Sequence, residues 1–350
     1  MGKGDIIDGV DKQIIQALQI DPRAGFSRVG EVLGVSEQTV ARRYRRLRGD
    51  GLLRVIGLVD PRSIGQTDWM VRVGCRPGGV LPLAEALARR DDVSWVTLSA
   101  GGSEILCSVR SRTAEQRDDL LLQRLPATSQ VLSMTVHAVL HRYLGGASSD
   151  WEGYDATLTP DQVQALRLPP AGGPGGTDPV TLEPEDEPLL DALAADGRCS
   201  YAALATASGM TQGRVTRRLE VLRRAGIIYF DVDLATELMG FGTSAYLWLT
   251  VEPACLAAAG DQIASHLEVA YAAAISGPAN LVASVVCRNT DDLYSYVTTR
   301  VSAIPGVRQL EVSPILRRAK QAGARMSGPR LAHPAPASTR RRAAPTARSG

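Results

Sequence analysis

One stretch of this chain occurs twice, and the repeat constrains the fold more than any other feature. Residues 36–48 align without a gap with 211–223 at an offset of 175, pairing Val40 with Val215, Arg42 and Arg43 with Arg217 and Arg218, Leu47 with Leu222, and Gly51 with Gly226. The register continues upstream through Gly34 with Gly209, Arg23 with Arg198, Asp21 with Asp196, Leu18 with Leu193 and Asp11 with Asp186. A unit duplicated over this length folds the same way in both copies.

Within the repeat, Val40, Tyr44 and Leu47 fall on one face of a helix. Ser36 suits the N-cap, where its hydroxyl accepts from a first-turn N–H, and Gly51 ends the run. Glu37, Gln38, Arg42, Arg43 and Arg46 occupy the other face. A polar start followed by arginines suits a DNA major groove, where base edges reward polar forks and phosphates reward arginine. A solvated basic helix has the same composition; the second copy favours the first reading. Upstream, residues 8–18 form a helix with Val10, Ile14, Ala17 and Leu18 inward, Asp21 to Gly25 breaks it, and a short helix with Val29, Val32 and Leu33 inward ends at Gly34. This is a helix-turn-helix unit. Residues 52–59 then read as a strand.

Residues 69–144 alternate in strand fashion at 69–75, 93–99, 104–110 and 131–140, with helical stretches at 81–90 and 114–124. The βαββαβ order is ferredoxin-like, an antiparallel sheet covered by helices on one face and needing a partner on the other. The second copy repeats the order. The predicted fold is α+β, two winged-type helix-turn-helix domains alternating with two ferredoxin-like βαββαβ domains. The expected boundaries are helix-turn-helix 5–60, βαββαβ 67–145, flexible linker 146–181, helix-turn-helix 182–237, βαββαβ 241–320 and a disordered basic tail 322–350, the linker and tail being rich in Gly, Pro, Ala and Ser.

From Gln321 onward there are six arginines and no acidic residue, leaving 33 basic against 37 acidic residues elsewhere, so DNA affinity of the folded part must come from local patches. The five cysteines (Cys75, Cys107, Cys199, Cys255, Cys287) form no C-x-x-C pair and read as small buried hydrophobes in a reducing cytoplasm. Neither a signal peptide nor a membrane-spanning run is expected.

Asp11, Ile14, Leu18, Arg23, Gly34, Ser36, Thr39-Val40, Arg42-Arg43, Leu47 and Gly51 in the first half, and Asp186, Leu189, Leu193, Gly197-Arg198, Gly209, Thr211, Val215, Arg217-Arg218, Leu222 and Gly226 in the second, resemble the Lrp/AsnC family. The likeness covers roughly 5–145 and 182–320 and makes each half similar to one helix-turn-helix plus one RAM-type sensing domain. It implies a cytoplasmic transcriptional regulator that binds double-stranded DNA, responds to a small effector such as an amino acid, needs no cofactor and assembles through its sensing domains. Family members usually carry one unit per chain, so a single chain here would already be a pseudo-dimer. The expected DNA contacts are Ser36, Gln38, Thr39, Arg42, Arg43 and Arg46, with Thr211, Gln212, Arg214, Arg217 and Arg218. The family's G-x-x-D turn appears as Gly101-Gly102-Ser103-Glu104 and Gly277-Pro278-Ala279-Asn280, both lacking the aspartate. Gly101, Gly102, Glu104, Gly277 and Asn280 are the expected effector residues, with Glu104, which keeps a carboxylate, making the first sensing domain the competent one.

Two alternatives belong to other classes. An architectural DNA binder would need no ligand, and titrating metabolites against DNA binding separates it from a sensor. Sirohaem decarboxylases resemble the same fold, but Gly57 to Pro61 and Asp231 to Leu234 carry no His-Arg cluster. His137 and His141, four apart on a strand, stand about 13 Å from each other, too far to share a metal, and none is expected. A Soret band would mark the enzyme.

Overall fold

The computed structural model describes residues 7–146, 151, 153–154, 157–167 and 180–332. In the first helix-turn-helix, α1 (Gly9–Ile20), α2 (Phe26–Leu33) and α3 (Glu37–Gly49) bury Ile14, Leu18, Val29, Val40, Tyr44 and Leu47 together. Gly34 ends α2 at φ 69°, and its counterpart Gly209 ends the matching helix at φ 70°, which is why glycine recurs at this offset. Strand β1 (Leu53–Val59) leads to the first sensing domain, formed by β2 (Trp69–Cys75), α4 (Val80–Ala88), β3 (Val93–Ser99), β4 (Glu104–Val109), α5 (Ala114–Asp118, continued by π-helical turns) and β5 (Val131–Leu144). Helix α6 (Pro160–Leu166) precedes the second helix-turn-helix, α7 (Glu187–Ala195), α8 (Tyr201–Ser208) and α9 (Gln212–Arg224). Strand β6 (Ile228–Leu234), β7 (Thr243–Val251), α10 (Leu256–Ala264), β8 (Val269–Ile275), β9 (Leu281–Cys287), α11 (Thr290–Ser295) and β10 (Val307–Pro314) complete the second copy.

The copies join through a pseudo-two-fold. β1 pairs antiparallel with β6, and in this ribbon Ile56 lies opposite Asp231, its own counterpart at the offset of 175. The helix-turn-helix domains clasp each other reciprocally: Arg198 donates to Pro22 O at 2.6 Å and Ala24 O at 2.7 Å, while Arg23 donates to Gly197 O and to Cys199 O at 3.1 Å. Each guanidinium also lies over aromatic rings of the other unit, Arg198 over Phe26 at 4.6 Å and Arg23 over Tyr201 at 5.1 Å. Gly197 leaves no room for a side chain, since a Cβ there would stand 2.8 Å from the Ile56 backbone.

The sensing domains exchange strand ends. β5 pairs with β2 up to Ala138 and then with β8 of the other domain from Val139, and β11 (Arg317–Gln321), which follows β10 after a short break, returns the exchange by pairing with β3. Ile315 N bonds Ser244 O and Leu316 N bonds Leu98 O, both at 2.8 Å, so β10, at one end of the strand order, runs on beside β3 as β11 and the sheet closes. Met70, Leu106, Tyr246, Trp248 and Val282 cluster between the two faces, which supplies the burial that each sheet lacks alone.

Two expectations are corrected. Among residues 151–167 the described ones do not behave as a flexible linker: Trp151 packs on Phe241 with ring centroids 4.8 Å apart and donates to Leu267 O at 2.9 Å, and Gln162 donates to Val32 O at 2.9 Å. Leu166 is fully buried among α1 and α2, so this strap ties the first helix-turn-helix to the second sensing domain; the Pro/Gly-rich run 168–179 lies outside the described residues. The basic tail does not begin at 322, because β12 (Ala324–Ser327) pairs with β11, β13 (Arg330–Leu331) pairs with β12, and Leu331 N reaches Gly51 O at 2.9 Å. Backbone pairing orders this stretch, which its side-chain composition does not favour; 333–350 lie outside the described residues. Replacing Arg198 by Ala leaves two carbonyls of the clasp without a donor and should lower the stability of the full chain by about 1.5–3 kcal/mol in urea unfolding.

Candidate nucleic-acid interface

Ser36 caps α3, its Oγ accepting from Thr39 N at 3.2 Å and meeting Thr39 Oγ1 at 2.9 Å; Thr211 caps α9 in the same way, accepting from Arg214 N at 3.3 Å. With the buried stripe seated, α3 presents Gln38, Arg42 and Arg46 to solvent, and α9 presents Gln212, Arg214 and Arg217. Arg42 and Arg217, which occupy equivalent positions, make no hydrogen bond or ion pair with any described residue.

Of the other predicted arginines, Arg43, Arg46 and Arg218 have internal partners, whereas the Arg214 side chain bonds no described residue. Arg43 bonds Asp8 at 2.7 and 2.8 Å and Asp11 at 2.9 Å, and Arg46 also reaches Asp11, whose side chain is 1% exposed. In the second copy Arg218 bonds Asp186 at 2.5 and 2.8 Å and Thr181 O at 2.7 Å. These are the pairs Asp11/Arg43 and Asp186/Arg218 of the repeat, so each recognition helix is locked to its own first helix by a carboxylate beneath it. Arg43 and Arg218 therefore set the angle of the reading helix. The 3.6 spacing placed these arginines on the polar face but could not reveal an acid on another helix; the recurrence of Asp11 at 186 was the available signal. Arg48, absent from the predicted set, bonds Asp196 of the other unit at 2.8 Å.

Burial alone would raise the Asp186 pKa, but hydrogen bonds from Arg218 and the Glu183 N–H hold it below 3.8. A carboxylate depressed in the folded state stabilises the fold above the unfolded pKa, and that stability is lost as pH falls through the folded value.

The two glycine turns differ from one another. Glu104 is engaged: Arg72 Nε bonds its Oε1 at 2.8 Å, Ser99 Oγ bonds Oε2 at 3.0 Å, and the same guanidinium reaches Glu311 of the second domain at 2.6 Å while stacking 4.6 Å from Trp248. Asn280 is spent on backbone, accepting from Val251 N and donating to Val251 O, both at 2.8 Å. Gly101 and Gly102 take φ of 68° and 82° in the first turn, and Gly277, at 113°, approaches the His137 ring. The turns thus lie at the seam between the two sensing domains, with their polar side chains paired internally.

His137 is buried with Nδ1 2.6 Å from Ser276 O, and burial lowers the pKa of His266, whose Nδ1 is 3.0 Å from Tyr296 OH. No group of three or more His, Cys, Asp or Glu is placed to hold a metal ion among the described residues, and none of their helices is long and apolar enough to cross a membrane.

Residues 7–48 match the AsnC-type helix-turn-helix domain, 188–229 a winged helix-turn-helix DNA-binding domain, and 244–324 the Lrp/AsnC ligand binding domain. An uncharacterized HTH-type transcriptional regulator of Pyrococcus furiosus is 29% identical over 122 residues, 34% of this chain and 82% of that protein. The HTH-type transcriptional regulator LrpA of Pyrococcus horikoshii is 25% identical over 139 residues, 39% of this chain and 99% of that protein, so a relative corresponds to one of the two repeats. The crystal structure of the siroheme decarboxylase NirDL is similar with a TM-score of 0.59 at 14% identity, covering 90% of this chain and 93% of that one. The likeness is one of fold, and it extends over both halves together.

Asp186→Asn should lower stability at pH 7 by about 3 kcal/mol, since it leaves Arg218 without its buried partner, and should flatten the loss of stability on acidification. Denaturant melts at pH 7 and pH 3 check this; Arg42→Ala should leave both melts unchanged.

Proposed function

We infer that this chain, which belongs to the Lrp/AsnC family in a fused double-length form, is a DNA-binding transcriptional regulator whose two recognition helices read one operator from within a single polypeptide. The observation that carries the reading is the equivalence of Arg42 and Arg217: both are exposed and have no partner among the described residues, and each stands on a capped helix locked in place by its own Asp–Arg pair. N-terminal side chains of such helices reach base edges while later arginines grip phosphate. Gln38, Thr39 and Arg42 are the proposed contacts on α3, with Gln212, Arg214 and Arg217 on α9; Ser36 and Thr211 position the first turns. Arg46 reaches phosphate beside its contact with Asp11. The family's sensing role supports control of DNA binding by a small effector, and the family's assembly through these domains supports an assembly of several chains. We place its action in the cytoplasm.

Action by binding alone is also our proposal. His137 and His266 already have internal partners, and a Soret band in the purified protein would overturn it. An architectural role without a ligand predicts that no small metabolite changes DNA affinity.

Glu37-Gln38-Thr39 and Gln212-Gly213-Arg214 differ, so the operator should be an imperfect palindrome with unlike half-sites about one helical turn, or a multiple of it, apart. Arg42→Ala and Arg217→Ala should each cost about 1–3 kcal/mol of operator affinity and relax specificity in different half-sites. Footprinting and gel shifts test this, and identical half-sites would contradict two distinct readers. Deleting 333–350, which carries Arg340, Arg341, Arg342 and Arg348, should weaken binding to all DNA about equally and flatten its salt dependence; a change in operator preference would assign the tail a different role.

A further inference from the structure

A cavity of about 130 Å³ lies between the two sheets and the β1·β6 ribbon, walled by strands of both sensing domains and by residues 231–234 of β6. Met70, Leu106 and Tyr246 supply apolar wall, and a space of this order holds a compact ligand of roughly ring size. Two charged side chains in the wall lack what burial demands. Arg318 makes no hydrogen bond or ion pair with any described residue, and burial lowers its pKa. Asp233 is 3% exposed; Gln321 donates to its Oδ1, while Oδ2 has no partner. Burial, and then the neighbouring Asp231, raise the Asp233 pKa to about 7. Each feels the opposite charge of the other, but no hydrogen bond joins them, and a buried charge short of hydrogen bonds is costly.

We propose that this cavity binds one small carboxylate ligand bearing an adjacent hydrogen-bond donor, with Arg318 gripping the acid group and Asp233 accepting from the donor. Arginine presents a planar fork that matches a carboxylate in two parallel bonds, and the free oxygen of Asp233 accepts from an ammonium or a hydroxyl. A 2-amino acid and a 2-hydroxy acid share this chemistry. In the ribbon Asp233 corresponds to Leu58, and in the sheets, where the offset becomes 176, Arg318 corresponds to Arg142, which is already paired with Asp68 and Asp60, so the pseudo-two-fold does not generate a second copy of the site: each chain holds one. The site is separate from the two glycine turns, whose Glu104 and Asn280 already have internal partners. Control of DNA binding from this cavity rests on the regulator reading; the binding itself does not.

The test is calorimetric titration of the full chain, without DNA, against a panel of L-amino acids and a panel of the matching 2-hydroxy acids. A member of one panel should bind with one site per chain, and the panel that contains it identifies the donor. Arg318→Met should weaken that binding at least about tenfold, while Arg318→Lys retains part of it and Glu104→Gln leaves it unchanged. The ligand-free Arg318→Met chain should melt no lower than wild type, because a buried charge short of hydrogen bonds gives way to an apolar side chain, so lost binding is distinguishable from lost folding. Two sites per chain, binding indifferent to Arg318→Met, or no binding from either panel would overturn the proposal. Operator binding by the ligand-free protein is measured separately: its absence would sink the regulator reading and leave the cavity site standing, whereas failure of the titration does the reverse.

Discussion

The β1·β6 ribbon is paired in a symmetric register, and the rest of the molecule depends on that constraint. With Ile56 facing its own counterpart Asp231, the two copies are related about an axis through the middle of the ribbon. The reciprocal clasp of Arg23 and Arg198 and the exchange of β5 and β11 between the sensing domains obey the same relation. A two-stranded ribbon is marginal by itself in water. Here its alternating side chains divide between two environments: Leu53, Val55, Val232 and Leu234 enter the first helix-turn-helix core, while Asp231 and Asp233 border the cavity against the sheets. The ribbon is held from both faces and in turn fixes where each recognition helix stands.

Fusing the copies into one chain frees them to differ. Asp11 carries two arginines of its recognition helix where Asp186 carries one. The strap 151–167 braces the first helix-turn-helix against the second sensing domain, through contacts such as Trp151 on Phe241 and Gln162 on Val32 O. Most consequential is the axis itself. In a pair of identical chains a side chain beside the axis is met by its own copy, so Asp233 would be accompanied by a second acid and Arg318 by a second cation. Leu58 stands in place of the second acid, and the second cation, Arg142, is held by Asp68 and Asp60, which leaves Asp233 and Arg318 as a single pair of opposite sign in one cavity.

Local pattern made the helices and their caps legible in the sequence, because a stripe such as Val40, Tyr44 and Leu47, or a glycine at a left-handed position, depends on neighbours a few residues away. The repeat made the two-unit architecture legible as well. What escaped depends on contacts distant along the chain. Periodicity put Arg43 and Arg218 on the polar face of their helices, yet only tertiary structure brings Asp11 and Asp186 under them. Glu104 looked like a free acceptor because Arg72, on the neighbouring strand, and Glu311, more than two hundred residues away, enter the ion pair only in the assembled sheets. The strap and the strands at 324–331 were hidden for a different reason: their order comes from backbone pairing and a few anchors such as Trp151 and Leu166, which composition does not weigh.

The locks and the clasp determine how a signal can travel. Each recognition helix is tied to its own first helix by a buried carboxylate, and the two units are tied to each other by paired arginines and by the Arg48–Asp196 bridge. The angle of a single reading helix is therefore a stiff coordinate, since changing it would strip a buried acid of its partner, at a cost of several kcal/mol. The position of the paired units relative to the closed sheet is held by other contacts: the ribbon itself, the strap, the Leu331–Gly51 bond, Arg110 on Tyr229 OH, and Gln321 on Asp233 and Leu234 O. Asp233 belongs to the ribbon, whereas Arg318 belongs to β11, which is hydrogen-bonded into the sheet through β3. A ligand held between them, as proposed above, would add a further tie between ribbon and sheet at a point the locks do not reach, and would act on both reading helices as one body.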